Sequence, residues 1–113
     1  MASSGLRGPF PLTENGIDTN VTETSPGAYA LGRMKNDTFL ISYVGRSDSD
    51  VNDRLHDHEG NLPRFKFEYY GSAKAAFDKE CNLYHDFTPP DNKVHPARPD
   101  GTNWTCPQCR TFG

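Results

Sequence analysis

Glu80 falls where a carboxylate is ordinarily excluded. Ala73, Phe77, Glu80, Tyr84 and Phe87 recur at three- and four-residue spacings, so Glu80 shares the apolar stripe of a helix, where an unpartnered charge is expensive to desolvate. Two kinds of partner meet that need. One is a strand lysine or arginine in a buried salt bridge. The other is Mg2+ at the lip of a cleft, with waters completing its octahedron, as in hydrolytic phosphoryl sites. On the same helix, Cys81 and His85 stand at i and i+4. Together with Cys106-Pro107-Gln108-Cys109 they can make a tetrahedral Cys3His zinc site, with His95 as the alternative fourth ligand. Such a zinc would be structural, pinning a Pro-rich tail that has too few apolar residues to dock unaided. The competing reading makes Cys81 a small core residue and the tail pair part of a zinc ribbon completed elsewhere. Arg54 and His58, also at i and i+4, ordinarily form a solvated helix face. Tyr29 and Tyr43, taken singly, are ordinary strand aromatics.

The elements that must position these residues are legible from period and punctuation. Ala28 to Arg33 and Phe39 to Gly45 are strand formers separated by Lys35-Asn36-Asp37, which is hairpin turn chemistry. Ser47 to Asp50 offers helix caps, and Val51, Arg54, Leu55 and His58 then predict a helix of about ten residues ending near Gly60. Arg64-Phe65-Lys66-Phe67-Glu68-Tyr69-Tyr70 alternates polar with aromatic, the pattern of a half-buried third strand. The next helix, capped by Ser72, stops at Thr88-Pro89-Pro90. The fold class expected is α+β: a small three-stranded antiparallel sheet flanked by helices, with an irregular C-terminal tail. Residues 1–25, without sustained period, read as a flexible arm. Residues 26–92 form the domain, and residues 93–113 a Pro/Gly-rich tail carrying the CxxC pair.

A chain of 113 residues supports one core. No apolar run approaches the roughly 20 residues needed to cross a bilayer, and Met1-Ala2-Ser3-Ser4 does not begin a signal peptide. Three cysteines, an odd number with metal-type spacing, suit a reducing compartment. The expectation is a soluble, intracellular, cytoplasmic protein with no membrane partner. Net charge is -3, which argues against holding nucleic acid by electrostatics alone, because phosphate affinity comes chiefly from lysine and arginine.

Taken in order, these pieces form a pattern. The sequence resembles the GIY-YIG nuclease family over roughly residues 26–92. Gly27-Ala28-Tyr29 stands for the first triplet and Tyr43-Val44-Gly45 for the second, followed by Arg54, His58, Glu80 and Asn92. Ala28 replaces the usual isoleucine. The run from Gly45 to Arg54 is about one residue longer than in many members, so Arg46 is the fallback arginine, and Asn82 and Asn103 compete with Asn92 for its partly structural role. The resemblance implies a metal-dependent endonuclease that hydrolyses DNA phosphodiester bonds. Tyr29 would be the general base, assisted by Tyr43. A tyrosine with its ordinary pKa near 10 is a poor base at neutral pH, so His58, Arg54 or the metal must favour its phenolate or take part in the proton transfer. Arg54 would stabilise the scissile phosphate, and Glu80 would hold Mg2+ or Mn2+. The acidic balance then calls for a local basic patch from Arg46, Arg54, Arg64, Lys66 and Lys74, or for a partner protein or extra DNA-binding element that delivers the DNA. One active site cuts one strand at a time, so a double-strand cut takes a dimer or two successive events. The alternative is a catalytically inactive binding module of the same fold, whose zinc-bearing tail contacts protein or nucleic acid. A zinc-bearing structural protein without nuclease ancestry ranks last.

Overall fold

Two turn residues set up the central hairpin. Strand β2 (Gly27–Lys35) and strand β3 (Thr38–Ser47) pair antiparallel from Gly27 opposite Ser47 to Lys35 opposite Thr38. They are joined by Asn36 and Asp37, both at positive φ (51° and 65°), as a two-residue turn matched to strand twist requires. The computed structural model describes residues 5–99 and 101–109; the ends of the expected arm and tail, residues 1–4 and 110–113, and residue 100 lie outside the described residues. Strand β4 (Arg64–Tyr69), the strand its alternation predicts, pairs with the other edge of β2.

The sheet has four antiparallel strands rather than the three expected. Strand β1 (Arg7–Pro11) pairs with β4 and gives the order β1-β4-β2-β3. Helix α1 (Glu14–Asn20) follows, with the Thr13 side chain accepting from the Gly16 N–H at 3.0 Å. Residues 7–21 are therefore part of the domain, which corrects their reading as an arm: Leu12, Ile17 and Val21 are buried in its core. The signal was present but short. Ile17 and Val21 stand at i and i+4 behind a threonine cap, and nothing longer announces the helix.

Period-2 alternation divides the core between the sheet's two faces. Tyr29, Leu31, Phe65 and Phe67 pack with α1 and with helix α2 (Val51–His56), whose Val51 and Leu55 are fully buried. Ala28, Ala30 and Val44 face the other way, against helix α3 (Ala73–Phe87) through Leu83. Small residues at 28 and 30 let that helix lie close to the sheet. Both caps match expectation: Asp50 accepts from Asn52 N–H, and Ser72 from Ala75 N–H. Helix α2 ends earlier than expected, at His56, so His58 sits in the following turn. Among the described residues no helix is long and apolar enough to cross a membrane.

Candidate active site and metal centre

Gly45 decides where the first tyrosine points its hydroxyl. It lies directly opposite Tyr29 in the β2/β3 register, and a Cβ there would stand 2.5 Å from the Tyr29 hydroxyl and 2.6 Å from Cζ. Without a side chain on Gly45, the Tyr29 ring crosses β3 and reaches the sheet edge. A cleft of about 240 Å³ opens there, lined by Tyr29, Tyr43, Gly45, Arg46, Arg54 and Glu80, with Asp48 and Ala97 completing it. Of the five residues expected to be catalytic, four line this cleft. The fifth, His58, stands behind it, with Nε2 2.9 Å from the Tyr29 hydroxyl and its ring 5.4 Å from that of Tyr43.

Burial sets the protonation states. It pushes the Tyr29 hydroxyl pKa well up, assisted by neighbouring Tyr43 and opposed by Arg54. Tyr43 shifts the same way, through burial and then Glu80. His58 is pushed below its ordinary 6.5, first by burial and also by Arg54, against Asp57. At neutral pH the imidazole is therefore uncharged and both phenols are protonated.

The two arginines divide their tasks. Arg46, opposite Ala28 and so on the α3 side, donates from Nη1 to Glu80 at 2.6 Å and from Nε to Asp48 at 2.8 Å. This is the first of the two kinds of partner that the helix stripe calls for, a buried salt bridge to a strand arginine. Burial pushes the Glu80 carboxyl pKa up, and the Arg46 hydrogen bond opposes that rise. Arg54 is open to solvent, and among the described residues its only ion-pair partner is Asp57 at 3.9 Å, so its guanidinium faces the cleft uncommitted to a close pair with any of them. Asp48 was not foreseen; nothing in its local sequence separates it from a loop aspartate.

The remaining predicted residues lie elsewhere. Arg64 and Lys66 occupy the β4 positions that alternate with buried Phe65 and Phe67, and Lys66 stacks its ammonium 5.2 Å from the Phe39 ring. Neither lines the cleft. Asn92 accepts from Val44 N–H at 2.7 Å and donates to Val44 C=O at 3.0 Å. Its amide thus continues the ladder on the free edge of β3, which is the structural part of the role the resemblance implies for it.

A second cluster forms where the tail folds back. One ligand atom from each of His85, His95, Cys106 and Cys109 lies within 4.8 Å of all the others, so the set could hold a metal such as zinc. His95, the alternative ligand, joins it. Cys81 does not: it is buried against Phe77 and Cys106, and burial and the Cys106 neighbour push its thiol pKa far up. Cys81 and His85 share a helix face, and the difference lies one turn along it: Cys81 is covered by Phe77, Cys106 and Trp104 beneath the tail, whereas the His85 ring lies 5.3 Å from that of His95. The tail itself is held by Trp104, whose ring lies 5.7 Å from that of Phe77.

No family model, curated protein or solved structure matches the chain.

Proposed function

We propose that this chain is a metal-dependent endonuclease of GIY-YIG type acting on DNA. The observation that carries the reading is the convergence of Tyr29, Tyr43, Arg54 and Glu80, from two strands and two helices, on one cleft. A divalent ion fits there. Glu80 borders both the cleft and an adjoining cavity, and among the described residues it accepts a hydrogen bond only from Arg46, through Oε1. One carboxylate beside water-sized space is the donor set that Mg2+ accepts. When bound by Glu80, Mg2+ or Mn2+ supplies charge stabilisation at the scissile phosphate and leaving oxygen.

The chain's own residues supply the rest. Tyr29 donates its proton to the neutral Nε2 of His58 as it takes one from the attacking water, so the charge comes to rest on imidazolium and no free phenolate is needed beforehand. Tyr43 packs on the same imidazole and orients it. Arg54 presents its fork to the phosphate, where the developing charge is greatest. With a net charge of -3, the chain by itself holds DNA weakly and cuts it best at low ionic strength, and a partner protein or an additional DNA-binding element would raise that affinity. Zinc in the His2Cys2 cluster is structural, with no open position for chemistry.

Cleavage of supercoiled plasmid with Mg2+ tests the reading. Arg54→Ala is expected to lower the rate about 10²- to 10³-fold with little change in stability, because the side chain is exposed; EDTA abolishes cutting. Wild-type activity in Arg54→Ala would refute the assignment. Cleavage by wild type that survives EDTA would refute the metal requirement.

The pH profile tests the relay separately. His58 must be neutral to accept the proton, and its pKa lies below 6.5. Activity is therefore full at neutral pH and falls as pH drops below 6.5 through that lowered pKa, and protonation of the metal-holding Glu80, whose pKa burial raises, adds a separate loss in acid. In His58→Gln the rate falls and the His58 limb disappears. An acid limb unchanged in the variant would show that another group carries the proton.

A further inference from the structure

Resting on the nuclease reading, we infer that the metal held by His85, His95, Cys106 and Cys109 builds one wall of the catalytic cleft, so that zinc occupancy is a condition of cleavage. After α3 the chain turns back along the edge of β3. Asp91 N–H donates to Ser42 C=O at 2.8 Å, and Asn92 holds Val44 on both sides. From there it runs past the active site. Ala97 closes the cleft beside Glu80, and the segment from Asp91 to Ala97 encloses an adjoining cavity of about 330 Å³ against Tyr43 and Glu80.

Little in this strap's own composition holds it there. Val94 is 78% exposed, and between Asn92 and Ala97 the strap meets α3 through His95, a member of the metal cluster whose ring lies 5.3 Å from that of Tyr84. His95 lies in the strap, His85 on the helix that carries Glu80, and the two cysteines in the tail behind them. The cluster also shows a specific need. Among the described residues His85 Nε2 is buried without a hydrogen-bond partner, an uncompensated loss of hydration that a metal ligand would not suffer. Cys109 Sγ and His95 Nε2 are 3.4 Å apart, close to the separation of about 3.5 Å between nitrogen and sulfur ligands on tetrahedral zinc. Zn2+ at this point joins strap, tail and α3, and thereby sets the position of the cleft wall relative to Glu80. Imidazole and thiolate are poor Mg2+ ligands, so the two metals do not substitute for one another.

Trp104, the only tryptophan in the chain, packs on Phe77 and reports docking of the tail. The experiment measures Zn2+ content, Trp104 emission, hydrogen exchange over residues 42–46 and plasmid cleavage in excess Mg2+. Each is read before and after a zinc-selective chelator, and again after Zn2+ is returned. Loss of zinc is expected to shift Trp104 emission to the red, speed exchange over 42–46, and lower cleavage about 10²-fold, as a misplaced wall of ångström scale does. Zn2+ restores all three and Mg2+ restores none. Far-UV circular dichroism checks that the sheet persists. Cys109→Ser should behave as the chelated protein, and Cys109→His, which keeps a zinc ligand, as wild type. A purified chain without zinc that also binds none when it is offered would overturn the inference, as would unchanged exchange and emission on zinc removal. If zinc-loaded wild type cuts no plasmid, the nuclease reading fails, and exchange over 42–46 still decides whether zinc holds the strap.

Discussion

Glu80→Gln is expected to fold and to lose Mg2+-dependent cleavage by about 10³-fold, the loss of several kcal/mol of transition-state charge stabilisation. The amide is chosen because Glu80 has two tasks. Its Oε1 accepts from Arg46 at 2.6 Å, and an amide oxygen in the same place still accepts. Arg46 also keeps its pairing with Asp48 at 2.8 Å, so the guanidinium is not left uncompensated. The stability cost should be about 1 kcal/mol, the scale of one weakened hydrogen bond. Glu80→Ala differs in kind. It removes the acceptor and opens a void beside a buried guanidinium, so a loss of about 3 kcal/mol is expected. Comparing the two variants by denaturant titration and plasmid cleavage separates the tasks. Cleavage retained by a folded Glu80→Gln would remove the metal assignment and leave Glu80 as a salt-bridge residue alone.

Gly45→Ala is the second large effect, and it acts through Tyr29. The added methyl would lie 2.5 Å from the hydroxyl, 2.6 Å from Cζ and 3.0 Å from Cε2, closer than real carbon contacts permit. The tyrosine has nowhere to move: it is 1% exposed, packed with Leu31, Phe65 and Phe67, and paired with His58. Strand β3 cannot retreat without breaking its ladder to β2. A loss of about 1–3 kcal/mol, typical of overpacking, should lower Tm by at least 4 °C for a chain of this size, and cleavage should fall with it. The cause is checked in a Tyr29→Leu background. There the same glycine change should cost at least about 1 kcal/mol less, because neighbours in contact are not additive. Equal costs in both backgrounds would mean that Gly45 serves β3 and not the tyrosine.

How far the sequence reached depended on the range of the interaction involved. The hairpin, its Asn36-Asp37 turn, β4 and both ends of α3 were legible because alternation, turn chemistry and caps are local properties. Strand β1 was not, since Arg7-Gly-Pro-Phe-Pro11 has poor strand propensity and is a strand only because β4 offers it an edge. Helix α1 was hidden for a similar reason. Its seven residues include Gly16, Asp18 and two asparagines, and its stability comes from burying Ile17 rather than from propensity.

The candidate site divides along the same line. By itself the sequence determined that a carboxylate lies on an apolar helix stripe and must be partnered, that two tyrosines flank glycine on paired strands, and that histidines and cysteines at metal spacing accompany the tail. Only the tertiary structure decided which groups meet. Strand alternation turned Arg46 toward α3 and Glu80, leaving Arg54 open to the cleft. The early end of α2 carried His58 beneath Tyr29, and the turn after Phe87 put His95, in place of Cys81, in the cluster with His85, Cys106 and Cys109. Residue type specifies what a side chain needs, but its partner depends on which strand face, helix face and loop end come together, and those are products of long-range packing.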